Sequence, residues 1–313
     1  MNPDRILVLG GTGFVGRALC ARLASRWPGA RIVVPSRRPP AAGALRVLPT
    51  VSLVPADVHD AATLSRLLQG ADAVVNLVAI LHGSAAEFER VHVQLPQRLA
   101  EACRAAGVAR LLHVSALGVG PDAPSNYLRS KTAGEAVLSA AGLGLTLLRP
   151  SVIFGAEDRF LNLFAALLRL APVMPLAGAS ARFQPVWVQD VAEAGVRCLD
   201  RGVTGVLECA GPEVFTLAEL VRLAGRWSGH ERAVWPLPDA LARLQAAVLE
   251  AAPGPTLMSR DNLDSMRVPN VATPGARGLG ALGIEPTALG QVMPAVLARR
   301  GPRSHLDGLR GSR

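Results

Sequence analysis

Tyr127 and Lys131 stand four residues apart, a YxxxK spacing that places both side chains on one face of a helix. An ammonium held beside a phenol favours the phenolate, so Tyr127 can give a proton to an alkoxide or take one from an alcohol. Lys131 can meanwhile bond the ribose of a nucleotide cofactor. Ser115, at the end of the apolar run 108–115, offers a hydroxyl to orient the reacting group, whereas its neighbour Ala116 offers none. If the orienting position falls at 116, Tyr127 loses that partner. Tyr127, Lys131 and Ser115 are the catalytic candidates.

Such chemistry needs a hydride carrier, and the chain opens with a place to hold one. The apolar run 6–9 leads into Gly10-Gly11-Thr12-Gly13-Phe14-Val15-Gly16, a strand, turn and helix with the spacing GxxGxxG. Gly10 suits the tight turn, Gly13 a close approach of pyrophosphate, and Gly16 the packing of helix on sheet. Thr12 adds a hydroxyl, and Phe14 and Val15 open a helix whose N-terminal amides face the phosphates.

The second strand ends in Val34-Pro35-Ser36-Arg37-Arg38, where a site for an unphosphorylated adenosine ribose would carry a carboxylate. Ser36, Arg37 and Arg38 suit a 2′-phosphate instead, so NADP(H) is expected over NAD(H). Asp57 and Val58 are expected at the adenine, with capping of a helix near Ala61 as the other use for Asp57. Asn76, Leu77 and Val78 end the fourth strand at the nucleotide crevice, and Val114 on the fifth completes that lining.

To position these groups, strand-like runs at 6–9, 31–34, 51–54, 73–78, 108–115 and 143–148 alternate with helical patterns at 14–27, 91–106 and 127–141. The alternation predicts an α/β fold, a Rossmann-like doubly wound parallel sheet whose right-handed crossovers bring the loops after the strands to one edge. Beyond Pro150 the pattern loosens into an apolar helix at 160–171, a return to the sheet, and helices at 214–227 and 234–251. The expected organisation is a nucleotide-binding core over 1–150, a small-lobe segment over 151–179, a return to the core over 180–212, mainly small lobe over 213–300, and a basic tail over 301–313. The smaller lobe is thus assembled from separated C-terminal segments.

Half of the 313 residues are apolar but only 4% are aromatic, so Ala, Val and Leu must build the core. The formal charge of +9 favours an anionic cofactor, an acidic protein or a phospholipid surface. It does not imply nucleic acid, because the cations are scattered and Tyr127 is the sole tyrosine. No run reaches the roughly 18 apolar residues of an integral membrane span. Cys20, Cys103, Cys198 and Cys209 lie far apart without CxxC spacing, and His59, His82, His92 and His113 read as separate residues, so no metal site is expected. Reduced thiols and the lack of a secretory pattern near the start point to a cytoplasmic location.

These motifs together resemble an extended or atypical short-chain dehydrogenase/reductase. The likeness rests on Gly10 to Gly16, Tyr127-Leu128-Arg129-Ser130-Lys131, Leu148-Arg149-Pro150 and Val188-Gln189-Asp190-Val191-Ala192, with Gly211-Pro212-Glu213 extending it. It implies that Arg149 and Pro150 mark the loop beside the nicotinamide and that Asp190 ties the returning segment to the sheet. More narrowly, three stretches resemble the branch of the NADH:ubiquinone oxidoreductase alpha-subcomplex subunit 9-like proteins: His113-Val-Ser-Ala-Leu-Gly118, Asn126 to Glu135 and Arg182 to Val191. The stretch Arg260 to Asn270 fits as well.

That branch implies an NADP(H)-binding accessory or assembly-related protein of respiratory complex I, its cofactor mainly structural, with peripheral contact at the inner face of the cytoplasmic membrane. The rival expectation is a free NADP(H)-dependent oxidoreductase or isomerase acting on a small or hydrophobic carbonyl or quinone-like substrate.

Overall fold

The computed structural model describes residues 3–37, 45–251 and 258–298. In chain order these form β1 (Arg5–Leu9), α1 (Phe14–Arg26), β2 (Arg31–Ser36), β3 (Val51–Pro55), α2 (Ala61–Leu68), β4 (Ala73–Asn76) and α3 (Ala85–Glu89). A π-helical turn, Arg90–Gln94, leads into α4 (Leu95–Ala106), β5 (Arg110–Val114), α5 (Asn126–Ser139), β6 (Gly144–Pro150), β7 (Ile153–Phe154), α6 (Leu161–Leu170) and β8 (Val173–Leu176). There follow β9 (Arg182–Phe183), β10 (Val186–Trp187), α7 (Val188–Arg201), β11 (Gly205–Cys209), β12 (Phe215–Thr216) and α8 (Leu217–Ser228). The last elements are β13 (Ala233–Pro236), α9 (Asp239–Ala251), α10 (Arg260–Ser265), a 3-10 turn at Leu279–Leu282 and α11 (Leu289–Ala298).

Seven strands build one parallel sheet in the order β11-β6-β5-β4-β1-β2-β3. Strands β1 and β4 carry unbroken apolar runs, residues 6–9 and 73–75, because helices cover both faces. On one face Leu7, Leu9, Val74 and Leu111 pack with Leu64, Leu68, Leu95 and Leu99 of α2 and α4. On the other, α1 and α7 lie together, joined by Arg22–Glu193 and Arg26–Asp200 ion pairs at 3.4 and 2.8 Å. The strand order reverses between β1 and β4, whose last residues Leu9 and Asn76 sit side by side in register. That reversal opens a crevice at the carboxyl ends of the two strands, where doubly wound sheets bind their ligands.

The chain divides into two compact units. The larger takes Met1–Pro150, Val188–Cys209 and Thr273–Glu285; the smaller takes Ser151–Trp187, Ala210–Ala272 and the chain from Pro286 on. The division differs from the expected boundaries at 180–187, at 210–212, which falls to the smaller unit, and at 273–285. Residues 180–187 belong to the smaller unit because Phe183 enters its core with Phe154, Phe164, Leu220 and Met293. Residues 273–285 join the larger unit because the Glu208 amide on the edge strand β11 donates to the Arg277 carbonyl at 2.9 Å, and the Thr273 amide to the Glu208 carboxylate at 2.6 Å.

Among the described residues the smaller unit holds three two-stranded ribbons, β7 with β10, β9 with β12 and β8 with β13. The expected helix at 234–251 is shorter than its pattern: 233–236 is a strand paired with β8, since Pro236 and Pro238 bar a helix from starting before Asp239. Among the described residues no helix is long and apolar enough to cross a membrane. The basic tail at 301–313 lies outside the described residues.

Candidate active site

At the nucleotide end, β1 delivers Gly10 into a turn at φ +77°, a conformation that favours glycine, and the Gly13 amide closes it by donating to the Gly10 carbonyl at 3.0 Å. A Cβ on Gly16 would lie 2.5 Å from that same carbonyl oxygen, so only glycine lets α1 start this close to the strand. Gly13 caps α1 without a side-chain hydrogen bond, which leaves the first amides of the helix to a phosphate. Thr12 is partly exposed on the turn; Phe14 and Val15 are partly buried behind it. Arg17, which the sequence reading passed over, braces the turn by donating to the Thr12 carbonyl at 2.7 Å. Its signal was a cation one helical turn beyond a phosphate loop.

Ser36 ends β2 beside Pro55, and Arg37 follows it exposed, while Arg38 lies outside the described residues. Asp57 is exposed beyond β3 and accepts from the His59 amide at 3.0 Å; the cap of α2 is Asp60, which accepts from the Thr63 amide at 2.8 Å. The capping use considered for Asp57 therefore falls to Asp60. Val58 and Val78 pack against the core beneath the crevice, and the Leu77 amide donates to the Leu9 carbonyl at 3.0 Å. The Asn76 side chain, expected to face the cofactor, is fully buried. Its Oδ1 accepts from the Val78 amide at 3.1 Å and its Nδ2 meets His113 Nδ1 at 3.1 Å, so it shapes the crevice from behind.

At the proton-transfer end, Ser125 caps α5 by accepting from the Leu128 amide at 3.1 Å, which starts the helix one residue before Tyr127. One turn on, Lys131 is buried to 2% exposure and its Nζ donates to the Val114 carbonyl at 2.8 Å. Burial lowers this ammonium to about 8, against the opposing pull of Glu135. Burial also raises the Tyr127 phenol to about 12, in the direction opposite to the phenolate bias expected from Lys131.

Ser115 follows Val114 directly and is 5% exposed, its amide donating to the Leu148 carbonyl at 2.7 Å. Its Oγ is buried and makes no hydrogen bond among the described residues. A buried hydroxyl without a partner is costly unless a ligand supplies one. Ala116 beside it is buried as well. Arg149 directs its guanidinium at Glu135, with Nε 3.0 Å from Oε1 and an Nη 2.5 Å from Oε2. That pair clamps α5 to β6, and the Pro150 carbonyl accepts from the Leu117 amide at 3.0 Å.

A histidine network, missed when the histidines were read as separate, backs this end. His92 lies in the π-helical turn, stacked on Phe88 with centroids 5.5 Å apart and edge-on to Tyr127 at 5.6 Å. Burial and the Lys131 charge lower it to about 3, and the same causes hold His113 well below its usual value. Both rings are therefore neutral. No spacing rule links 92, 113 and 131; only the folded sheet brings them together.

An uncapped helix N-terminus over a glycine turn at a switch point, and Tyr127 one helical turn before the buried Lys131, which is anchored next to the buried Ser115, define a dinucleotide-binding protein of the extended short-chain dehydrogenase/reductase class. Residues 6–210 match the NAD dependent epimerase/dehydratase family, and the chain belongs to it. It is 29% identical over 285 residues to the mitochondrial NADH-ubiquinone oxidoreductase 40 kDa subunit of Neurospora crassa, covering 89% of this chain and 75% of that one. It is 32% identical over 250 residues to a ceramide reductase of Caulobacter vibrioides, covering 79% and 77%. In fold it is similar to MoeE5 in complex with UDP-glucuronic acid and NAD, with a TM-score of 0.73 over 96% of this chain and 99% of that one at 22% identity.

Proposed function

We propose that the chain is an NADP(H)-dependent oxidoreductase that reduces a hydrophobic carbonyl. The observation that carries this reading is the Ser115 hydroxyl, buried without a partner one residue beyond the carbonyl that anchors Lys131. A protein using its dinucleotide only as structural filler has no need to keep that hydroxyl, the phenol and the ammonium together. The dinucleotide, held by the α1 amides and by Arg37 at its 2′-phosphate, supplies the hydride. Ser115 donates a hydrogen bond to the substrate oxygen, Tyr127 protonates that oxygen as it becomes an alkoxide, and Lys131 offsets the charge left on the phenolate. The likeness to a ceramide reductase supports a lipidic substrate.

The second reading is an accessory or assembly-related protein of the respiratory NADH:quinone oxidoreductase, favoured by the likeness to its 40 kDa subunit across 89% of this chain. One comparison separates the two. The parent and Tyr127→Phe are assayed with NADPH against long-chain ketones, ceramide-like ketones and quinones, while nucleotide binding is followed by titration. Turnover in the parent, lost in Tyr127→Phe with binding kept, is the expected result. A parent that binds NADPH, turns over none of these and co-purifies with the respiratory complex from gently solubilised membranes establishes the second reading instead.

A further inference from the structure

The segment between β4 and α3 runs from the glycine turn to the proton-transfer end of the larger unit. Where it leaves β4 it presses on the turn: the Leu77 amide donates to the Leu9 carbonyl at 3.0 Å, and a Cβ on Gly10 would lie 3.0 Å from the Leu77 carbonyl carbon. Where it returns, Phe88 of α3 meets the Tyr127 ring edge-on, with centroids 6.1 Å apart. Between these ends the segment is pinned at Ile80, Gly83 and Ser84. The Ile80 amide donates to His92 Nε2 at 3.2 Å, and the Ile80 side chain folds back so far that a Cβ on Gly83 would lie 3.2 Å from its Cδ1. Ser84 closes a reciprocal cap with Glu87, its amide donating to Oε2 at 2.8 Å. Leu81, at the apex, is nevertheless 58% exposed, and Ala79, Ala85 and Ala86 on either side of it in the chain are exposed as well.

We infer that Leu81 is a specificity-determining residue, on which the hydrocarbon chain of the substrate lies. It rests on the reductase reading and narrows the substrate to a carbonyl compound with an extended alkyl chain. A flexible loop can fold an apolar tip away from water, but a segment fixed at Ile80, Gly83 and Ser84 holds Leu81 out, so its surface stays wet until a ligand covers it. Position selects a ligand over a protein partner. A segment that touches the glycine turn at one end and the Tyr127 ring at the other flanks any carbonyl that reaches both the hydride and the phenol. Size agrees: one leucine with three alanines is far smaller than the roughly 800 Å² per partner of a stable protein interface, whereas an alkyl chain needs only such a strip.

The test is the chain-length dependence of kcat/KM for methyl ketones from butanone to dodecanone with NADPH. In the parent, each methylene that reaches Leu81 should raise kcat/KM about two- to fourfold. Leu81→Ser should flatten that rise and lower the dodecanone-to-butanone ratio about tenfold or more, while Leu81→Met should keep it. NADPH titration checks that both variants retain the nucleotide site. Equal rises in the parent and Leu81→Ser overturn the inference, as does a loss of the same size on butanone and dodecanone, which marks a merely structural leucine. A parent that reduces none of the ketones removes the reductase reading, and the chain site is then read without turnover, from the fluorescence of parinaric acid, a conjugated fatty chain, added to the protein with NADPH. Enhancement that Leu81→Ser abolishes and Leu81→Met retains upholds the role of the leucine. Enhancement equal in the parent and Leu81→Ser, or none in the parent, overturns it.

Discussion

His92 Nδ1 lies 2.8 Å from Ser130 Oγ, and the Ser130 hydroxyl donates to the Tyr127 carbonyl at 2.8 Å. The Ile80 amide donates to His92 Nε2 at 3.2 Å, so that nitrogen is an acceptor and the ring proton sits on Nδ1. One neutral imidazole thereby ties the loop after β4 to the turn that carries Tyr127. His92→Ala should lower kcat by about tenfold to a hundredfold through misplacement of the phenol. The KM for NADPH should change little. Steady-state kinetics with both substrates varied will show whether the loss falls on kcat.

Acid should unfold the protein through the same histidines. His92 is lowered to about 3 and His113 well below its ordinary value of 6.5, so the unfolded chain takes up protons that the folded one refuses. Their contribution is intact above about 6.5 and is lost as pH falls toward the folded values, at about 1.4 kcal/mol per pH unit for each ring at most. Urea midpoints measured from pH 7 down to pH 4 should fall, and His92→Gln should flatten the slope. A slope unchanged by that substitution contradicts the assignment.

Turnover should decline in alkali. With the Lys131 ammonium lowered to about 8, its charge disappears as pH rises through that value, and the phenolate left on Tyr127 loses its counter-charge. The pH profile of kcat should show this descending limb near 8, and Lys131→Arg should move it upward if the fold accommodates the larger head.

Cofactor choice should rest on the end of β2. Arg37 is exposed there and free to reach a 2′-phosphate without strain on the sheet. Arg37→Ala together with Arg38→Ala should weaken NADPH by about tenfold to a hundredfold and leave NADH nearly unchanged. Calorimetric titration of both nucleotides reads this directly, and equal affinities in the parent would remove the preference for NADP(H).

Arg149 should prove a clamp. Its partner Glu135 is only 6% exposed, so Arg149→Leu strands a buried carboxylate at a cost of about 3 kcal/mol. Thermal unfolding should register that loss, and the double variant with Glu135→Leu should recover most of it.

Local pattern determined much of this protein. The glycine spacing at 10–16 after an apolar run, the alternation of strands and helices to Pro150, and Tyr127 four residues before Lys131 are short-range features; each follows from a turn, a pleat or one helical repeat. The tertiary structure decided what depends on distant partners. Asn76 turned to His113 because the register of β4 with β5 sets them opposite, and the phenol rose because packing strips water from it. Residues 180–187 joined the smaller unit because Phe183 had a core to fill, and Leu241, Leu244 and Val248 faced outward because alanines made the closer fit beneath. Burial and long-range pairing are properties of the packed chain, and no spacing along it encodes them one residue at a time.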